Sequence, residues 1–153
     1  MDNKILKEFL RDKELKNQDF IAGIMVNIIL LYIVNSVMTW NLSFVAESFR
    51  GLIPLFNVVI AANLIANAAL IIYTEQWLWT FTQIVLSALG YLLVSSLYSV
   101  FPFTFRNIYV FYSVKFGLLV AMVVMAVAVF LHGLKFVLKF ILKTAGHRQP
   151  PAG

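Results

Sequence analysis

Four long apolar runs divide this chain, and three of them contain no charged residue. They cover residues 20–40, 51–73, 77–101 and 108–131, and the fourth contains a single charge, Lys115. A helix crosses the hydrocarbon core of a bilayer in about 20 residues, and a backbone in lipid must satisfy its own hydrogen bonds. Strands of a membrane barrel would instead alternate over segments of about ten residues. The sequence therefore predicts an all-α, polytopic integral membrane protein with four transmembrane helices.

The composition agrees with this class of protein. Of 153 residues, 61% are apolar and 12% are charged, whereas soluble domains have roughly 45–50% and about 25%. These values exclude an ordinary soluble domain, a disordered chain and a nucleic-acid-binding module. The net charge of +5 favours anionic lipid headgroups as the charged partner.

The distribution of basic residues predicts the orientation. The connections at 41–50 and 102–107 contain one arginine each, and the turn at 74–76 contains no Lys or Arg. The two terminal segments together carry the other Lys and Arg residues, apart from Lys115. Because positive charge is retained on the cytoplasmic side, we expect both termini to be cytoplasmic.

The terminal segments, 1–19 and 132–153, flank the transmembrane domain at 20–131. The first has an apolar stripe at Ile5, Leu6, Phe9 and Leu10 among charges of both signs, which predicts an amphipathic helix on the membrane surface or a docking helix for a cytoplasmic partner. The second begins with a basic amphipathic stretch, continuous with the fourth span or bent at Gly133, and ends in a disordered tail. Its lysines recur every four residues and are expected to anchor it at anionic headgroups: Lys135, Lys139 and Lys143.

Polar residues inside the runs are the candidate functional residues. An amide at mid-bilayer is costly unless it is paired. Two asparagines lie one turn apart in the second run, and we expect them to face a polar stripe on the third. These side chains either hold helices together through hydrogen bonds or line a hydrated pocket. The candidates are Asn27, Asn35, Asn63, Asn67, Gln83, Ser87, Tyr91 and Lys115.

Lys115 has two interpretations. Its amine can extend towards the outer boundary along the apolar surface, or it can face the bundle as a functional group, as intramembrane charges often do.

Residues for catalysis or metal binding are scarce. The chain has no cysteine, two histidines and seven acids, and Glu47 and Glu75 fall at opposite membrane faces. No nucleotide-binding or hydrolase motif is present. We therefore expect no catalytic residue, no metal site and no cofactor, and the protein is not expected to be an enzyme.

The outer loop reads Phe101-Pro102-Phe103-Thr104-Phe105, which suggests a re-entrant or interfacial plug. With the four-span plan, this loop resembles uncharacterised small prokaryotic four-helix membrane proteins with an F-P-F-x-F loop. The resemblance implies a prokaryotic plasma membrane and no particular activity.

These features favour a non-enzymatic membrane protein that acts by helix association, either as an accessory subunit of a membrane complex or as a homo-oligomer. The alternative is a small oligomeric transporter or channel for a polar or anionic solute.

Overall fold

The computed structural model describes residues 16–146. It contains four α-helices, α1 (Asn17–Ser36), α2 (Ile53–Ile72), α3 (Gln76–Val100) and α4 (Ile108–Gly146), with a short 3-10 helix (Glu47–Leu52) before α2. Each α-helix contains or forms most of a segment long and apolar enough to cross a membrane. The predicted all-helical chain with four such helices is confirmed. Most of the amphipathic segment predicted at 1–19, and the tail beyond 146, lie outside the described residues.

The helix boundaries differ from the predicted ones where local backbone geometry intervenes. The first span was predicted to reach Trp40, but α1 ends at Ser36 because residues 37–41 form turns. Within them Asn41 has a φ of 48°, a left-handed conformation that asparagine tolerates better than most residues. Pro54 lies in the first turn of α2, where its missing N–H removes no helical hydrogen bond.

The fourth helix is much longer than its predicted span. It runs for 39 residues without a break at Gly133, which at 1.5 Å per residue is about 58 Å. The hydrocarbon core is about 30 Å thick. The helix therefore extends beyond the span predicted at 108–131, and of the two arrangements considered for the stretch with the lysines, the structure has the one that continues the fourth helix.

Consecutive helices pack against each other in antiparallel pairs. Asn35 lies beside Asn57 and Gly23 beside Asn67, so α1 and α2 run in opposite directions. Within residues 16–146, close backbone contacts join α1 to α2, α2 to α3 and α3 to α4, with none between α1 and α4. The helices thus form an open row instead of a closed bundle. We call the end with residues 73–75 the turn end and the end with residues 37–52 and 101–107 the loop end.

The two connections at the loop end are joined to each other. Val45 and Phe103 form an isolated antiparallel bridge. The Ala46 N–H donates to the Pro102 carbonyl at 2.9 Å, and the Thr104 N–H donates to the Phe44 carbonyl at 2.9 Å. The segment predicted as a re-entrant or interfacial plug is therefore an extended strand-like piece paired with the first connection.

Candidate functional site: a polar cavity between the helices

A cavity of about 350 Å³ is lined by residues from all four helices. One part of its lining is apolar and comes mainly from α1, α2 and α4, and the other part consists of uncharged polar side chains. The polar residues are Asn27 on α1, Asn63 and Asn67 on α2, and Thr82, Gln83 and Ser87 on α3. Five of these six belong to the predicted candidate set, and the structure brings them together in one place.

The polar residues of the cavity lie between the turn end and the middle of α2 and α3. On α3, Thr82 and Ser87 are about 9 Å and about 17 Å from the turn end at 1.5 Å per residue. On α2, Asn67 and Asn63 are about 8 Å and about 14 Å from the same end. These distances place the four residues in the turn-end half of their helices.

The three asparagines use their amide nitrogens within their own helices. Nδ2 of Asn27 donates to the Gly23 carbonyl at 2.8 Å, that of Asn63 to the Val59 carbonyl at 2.9 Å, and that of Asn67 to the Asn63 carbonyl at 2.8 Å. A backbone carbonyl only accepts, so the bonded end of each side chain must be its NH₂ group. Each side chain therefore keeps its carbonyl oxygen, Oδ1, as an acceptor.

Gly23 lets α1 approach α2 beside the cavity. A Cβ atom at this position would lie 2.8 Å from Oδ1 of Asn67 and 3.1 Å from its Cγ, closer than packed atoms allow. The absent side chain of Gly23 thus makes room for the Asn67 amide.

The α3 side of the cavity presents hydroxyl and amide groups. Thr82 is buried, with 8% of its surface exposed, and Gln83 and Ser87 are half-buried. The side chains of these three residues form no hydrogen bond with any of residues 16–146. Their polar atoms are available to a molecule in the cavity.

Two of the predicted residues lie elsewhere. Asn35 forms a reciprocal pair with Asn57 near the loop end, with Nδ2 of Asn35 donating at 2.8 Å and Nδ2 of Asn57 donating at 3.1 Å. This pair joins α1 to α2. Tyr91 is on the exposed side of α3, with 37% of its surface accessible, and it is not part of the cavity lining.

Lys115 also lies away from the cavity. Its Nζ atom is 5.3 Å from the ring centroid of Tyr98, 5.9 Å from that of Phe101 and 5.7 Å from that of Phe111. The amine points towards the loop end and is held by cation–π contacts. Lys115 is not among the residues that line the cavity, and its helix places it about 10 Å from the α4 start at the loop end.

A second groove, which the sequence did not predict, lies at the turn end. It has a volume of about 620 Å³ and separates residues 74–80 from the α4 extension, with Trp77, Phe136 and Phe140 in its walls. Lys139 and Glu75 also line it. Lys135 lies one turn before Lys139, and the side chain of Lys143 is outside the described residues. The wall that contains Phe136 and Phe140 exists only because α4 continues as a helix past Gly133.

In the described part of the chain, no group of three His, Cys, Asp or Glu side chains could hold a metal ion. His132 lies against the Trp79 ring, with centroids 5.9 Å apart, and its Nδ1 is 2.7 Å from the Ala128 carbonyl. No protein-family model, curated protein or solved structure matches this chain.

Proposed function

We propose that this protein is a non-enzymatic membrane protein that acts by association of its helices within the bilayer, as a homo-oligomer or as a subunit of a larger membrane complex. Both termini lie in the cytoplasm in this proposal, and the α4 lysines meet anionic headgroups. The observation that carries it is the half-buried polar cavity in an open row of helices.

Polar groups inside a membrane face protein or a water-filled cavity. Asn27, Asn63 and Asn67 are only half-buried within the chain, and each retains an acceptor oxygen. A helix from another chain, laid against the open side of the row, would cover these groups and supply donors to them. The outer helices leave room for it, since the most apolar stretch of α4 contains no buried residue.

The test measures self-association of the purified protein in mild detergent and in lipid nanodiscs. Light scattering should give a mass that is a multiple of the 17.4 kDa chain mass. Dilution with excess lipid should shift the association equilibrium towards the monomer. Asn63→Leu should weaken association about threefold to twentyfold, the effect of losing one interhelical hydrogen bond of about 0.6–1.7 kcal/mol. Asn35→Leu is the matched control, because its partner Asn57 is in the same chain.

A subunit of a hetero-complex would be monomeric when pure and would co-purify with a partner from its native membrane. A chain that is monomeric at every ratio of protein to lipid and recovers no partner from native membranes would contradict the proposal.

A second candidate function is a small oligomeric transporter or channel for a polar or anionic solute. It is favoured by one observation, the meeting of polar side chains from three helices around a single cavity. Reconstituted in liposomes, the protein should then move a solute, and Asn67→Leu should abolish the flux. Lys115→Ala should leave the flux unchanged, since the structure places this lysine outside the cavity.

A further inference from the structure

We propose that the polar cavity binds a small neutral solute that donates hydrogen bonds, of the amide, urea or polyol class. The inference rests on the second candidate function for its setting. Its test measures occupancy of the cavity and not flux, so a protein that binds without transporting is distinguished from one that does neither.

The hydrogen-bonding atoms of the lining determine the class of ligand. Asn27, Asn63 and Asn67 each use one N–H of the side-chain NH₂ group on a backbone carbonyl, so each retains its Oδ1 acceptor and one N–H donor. The lining therefore includes three Oδ1 acceptors, and residues 20–36, 53–72 and 76–100 offer no basic side chain to balance an anion. A ligand that donates N–H or O–H groups satisfies these acceptors, while Thr82, Gln83 and Ser87 can both donate and accept.

The absence of charge argues for a neutral ligand over a cation. Residues 20–36, 53–72 and 76–100 contain no charged side chain, so nothing in these stretches could balance a cation in the cavity. An isolated ion in a low-dielectric site carries a desolvation penalty of several kcal/mol or more. Uncharged amide and hydroxyl groups compensate a neutral donor without that penalty.

The size and the apolar walls narrow the class further. A volume of about 350 Å³ is at the lower end of the range of roughly 300–1,000 Å³ found for small-molecule sites. Phe20 and Leu70 are buried beside it, and Leu86 and Met125 complete the apolar part. A solute with a compact carbon body and donors on one side fits this lining.

The test uses the absence of cysteine from the natural sequence. Single cysteines are introduced at Ser87 in the cavity and at Val85, which is 39% exposed on the same helix and is not part of the cavity lining. The full-length protein in liposomes is treated with iodoacetamide, a neutral amide reagent. A thiol reacts as its thiolate, and apolar surroundings raise the pKa of a thiol. Each unit by which the pKa at position 85 exceeds that at position 87 lowers the thiolate fraction tenfold. Ser87→Cys, among polar side chains, should therefore react at least about tenfold faster than Val85→Cys.

Occupancy is then measured as protection. Acetamide, urea and glycerol are each added at increasing concentration, with sodium chloride as the ionic comparison. For one site, a solute at ten times its half-protecting concentration should slow the reaction of Ser87→Cys about elevenfold. Thr74→Cys, at the exposed turn end, controls for a general effect of solute on the reagent and should not be protected.

Three results would overturn the inference. Equal reactivity at positions 85 and 87 would mean that the cavity does not admit solute. Reaction without protection by any neutral solute would mean that nothing of this class binds there. Protection by sodium chloride alone would assign the cavity to an ion. Ala66→Cys, on the α2 side of the cavity, repeats the measurement should Ser87→Cys not fold, and it should show the same protection.

Discussion

The reciprocal pair between Asn35 and Asn57 should contribute measurably to the packing of α1 on α2. Replacing either residue with leucine removes both cross-helix hydrogen bonds, at 2.8 Å and 3.1 Å, and leaves the other amide without its partner. Asn35 also donates to the Leu31 carbonyl at 2.7 Å, so its single variant loses a local bond as well. Only a double-mutant cycle separates the interaction free energy between Asn35 and Asn57 from these local losses.

The size of this interaction free energy follows from the two hydrogen bonds between the side chains. Interhelical hydrogen bonds in membrane proteins average about 0.6 kcal/mol and reach about 1.7 kcal/mol. Two parallel bonds of ordinary length should therefore give a coupling free energy of about 1–2 kcal/mol. Each single variant should lower the free energy of unfolding by at least this amount, and the double variant by less than the sum of the two singles.

The assay is equilibrium unfolding of the protein in mixed micelles with increasing SDS, followed by tryptophan fluorescence. Asn35→Leu, Asn57→Leu and the double variant form the test cycle. Asn27→Leu with Asn57→Leu forms the control cycle, because Asn27 is about 12 Å along α1 from Asn35, and distant sites are additive within about 0.5 kcal/mol. A test cycle as additive as the control would refute the assigned role of the pair.

Three further predictions concern other contacts and the topology. Gly23→Ala should lower the free energy of unfolding by about 1–3 kcal/mol through overpacking, because its Cβ would lie 2.8 Å from an amide oxygen on α2. Gly117→Ala is the control, because a Cβ there meets nothing within 4 Å, and it should not destabilise the protein. Equal effects of the two variants in the same SDS titration would contradict this prediction. Lys115→Ala should lower the free energy of unfolding by about 1–2 kcal/mol through loss of its cation–π contacts, and Lys115→Arg should retain most of the stability. An alanine variant as stable as the parent would show that the contacts with the rings contribute nothing to stability. In intact cells, an impermeant thiol reagent should label Ser48→Cys at the loop end and not Thr74→Cys at the turn end, and the reverse pattern would overturn the orientation expected from the basic residues.

Much of the helical plan could be predicted because length and charge alone limit where such segments can lie. The run at 53–72 has no charged side chain, and a segment of that length matches the thickness of a bilayer core. Helical periodicity also placed Asn63 and Asn67 on one face of α2, and the short turn at 73–75 made α2 and α3 neighbours. The structure brings both amides to a cavity shared with Gln83 and Ser87, and leaves them half-buried instead of enclosed.

Other features required the tertiary structure. Asn27 and Asn35 occur in the same run, yet the first lines the cavity and the second pairs with Asn57. Lys115 could have faced the bundle or extended along the surface, and the rings of Tyr98 and Phe101 decide its direction. The continuation of α4 past Gly133 likewise creates the groove at the turn end.

The physical reason is the same in each of these cases. Periodicity specifies the angle of a side chain around its own helix axis, and hydropathy specifies which stretch lies in the membrane. Neither specifies how far one helix is shifted or rotated relative to its neighbour. That register depends on close contacts between particular residues, such as Gly23 against Asn67 and Gly90 against Met125, and these contacts exist only once the helices have packed.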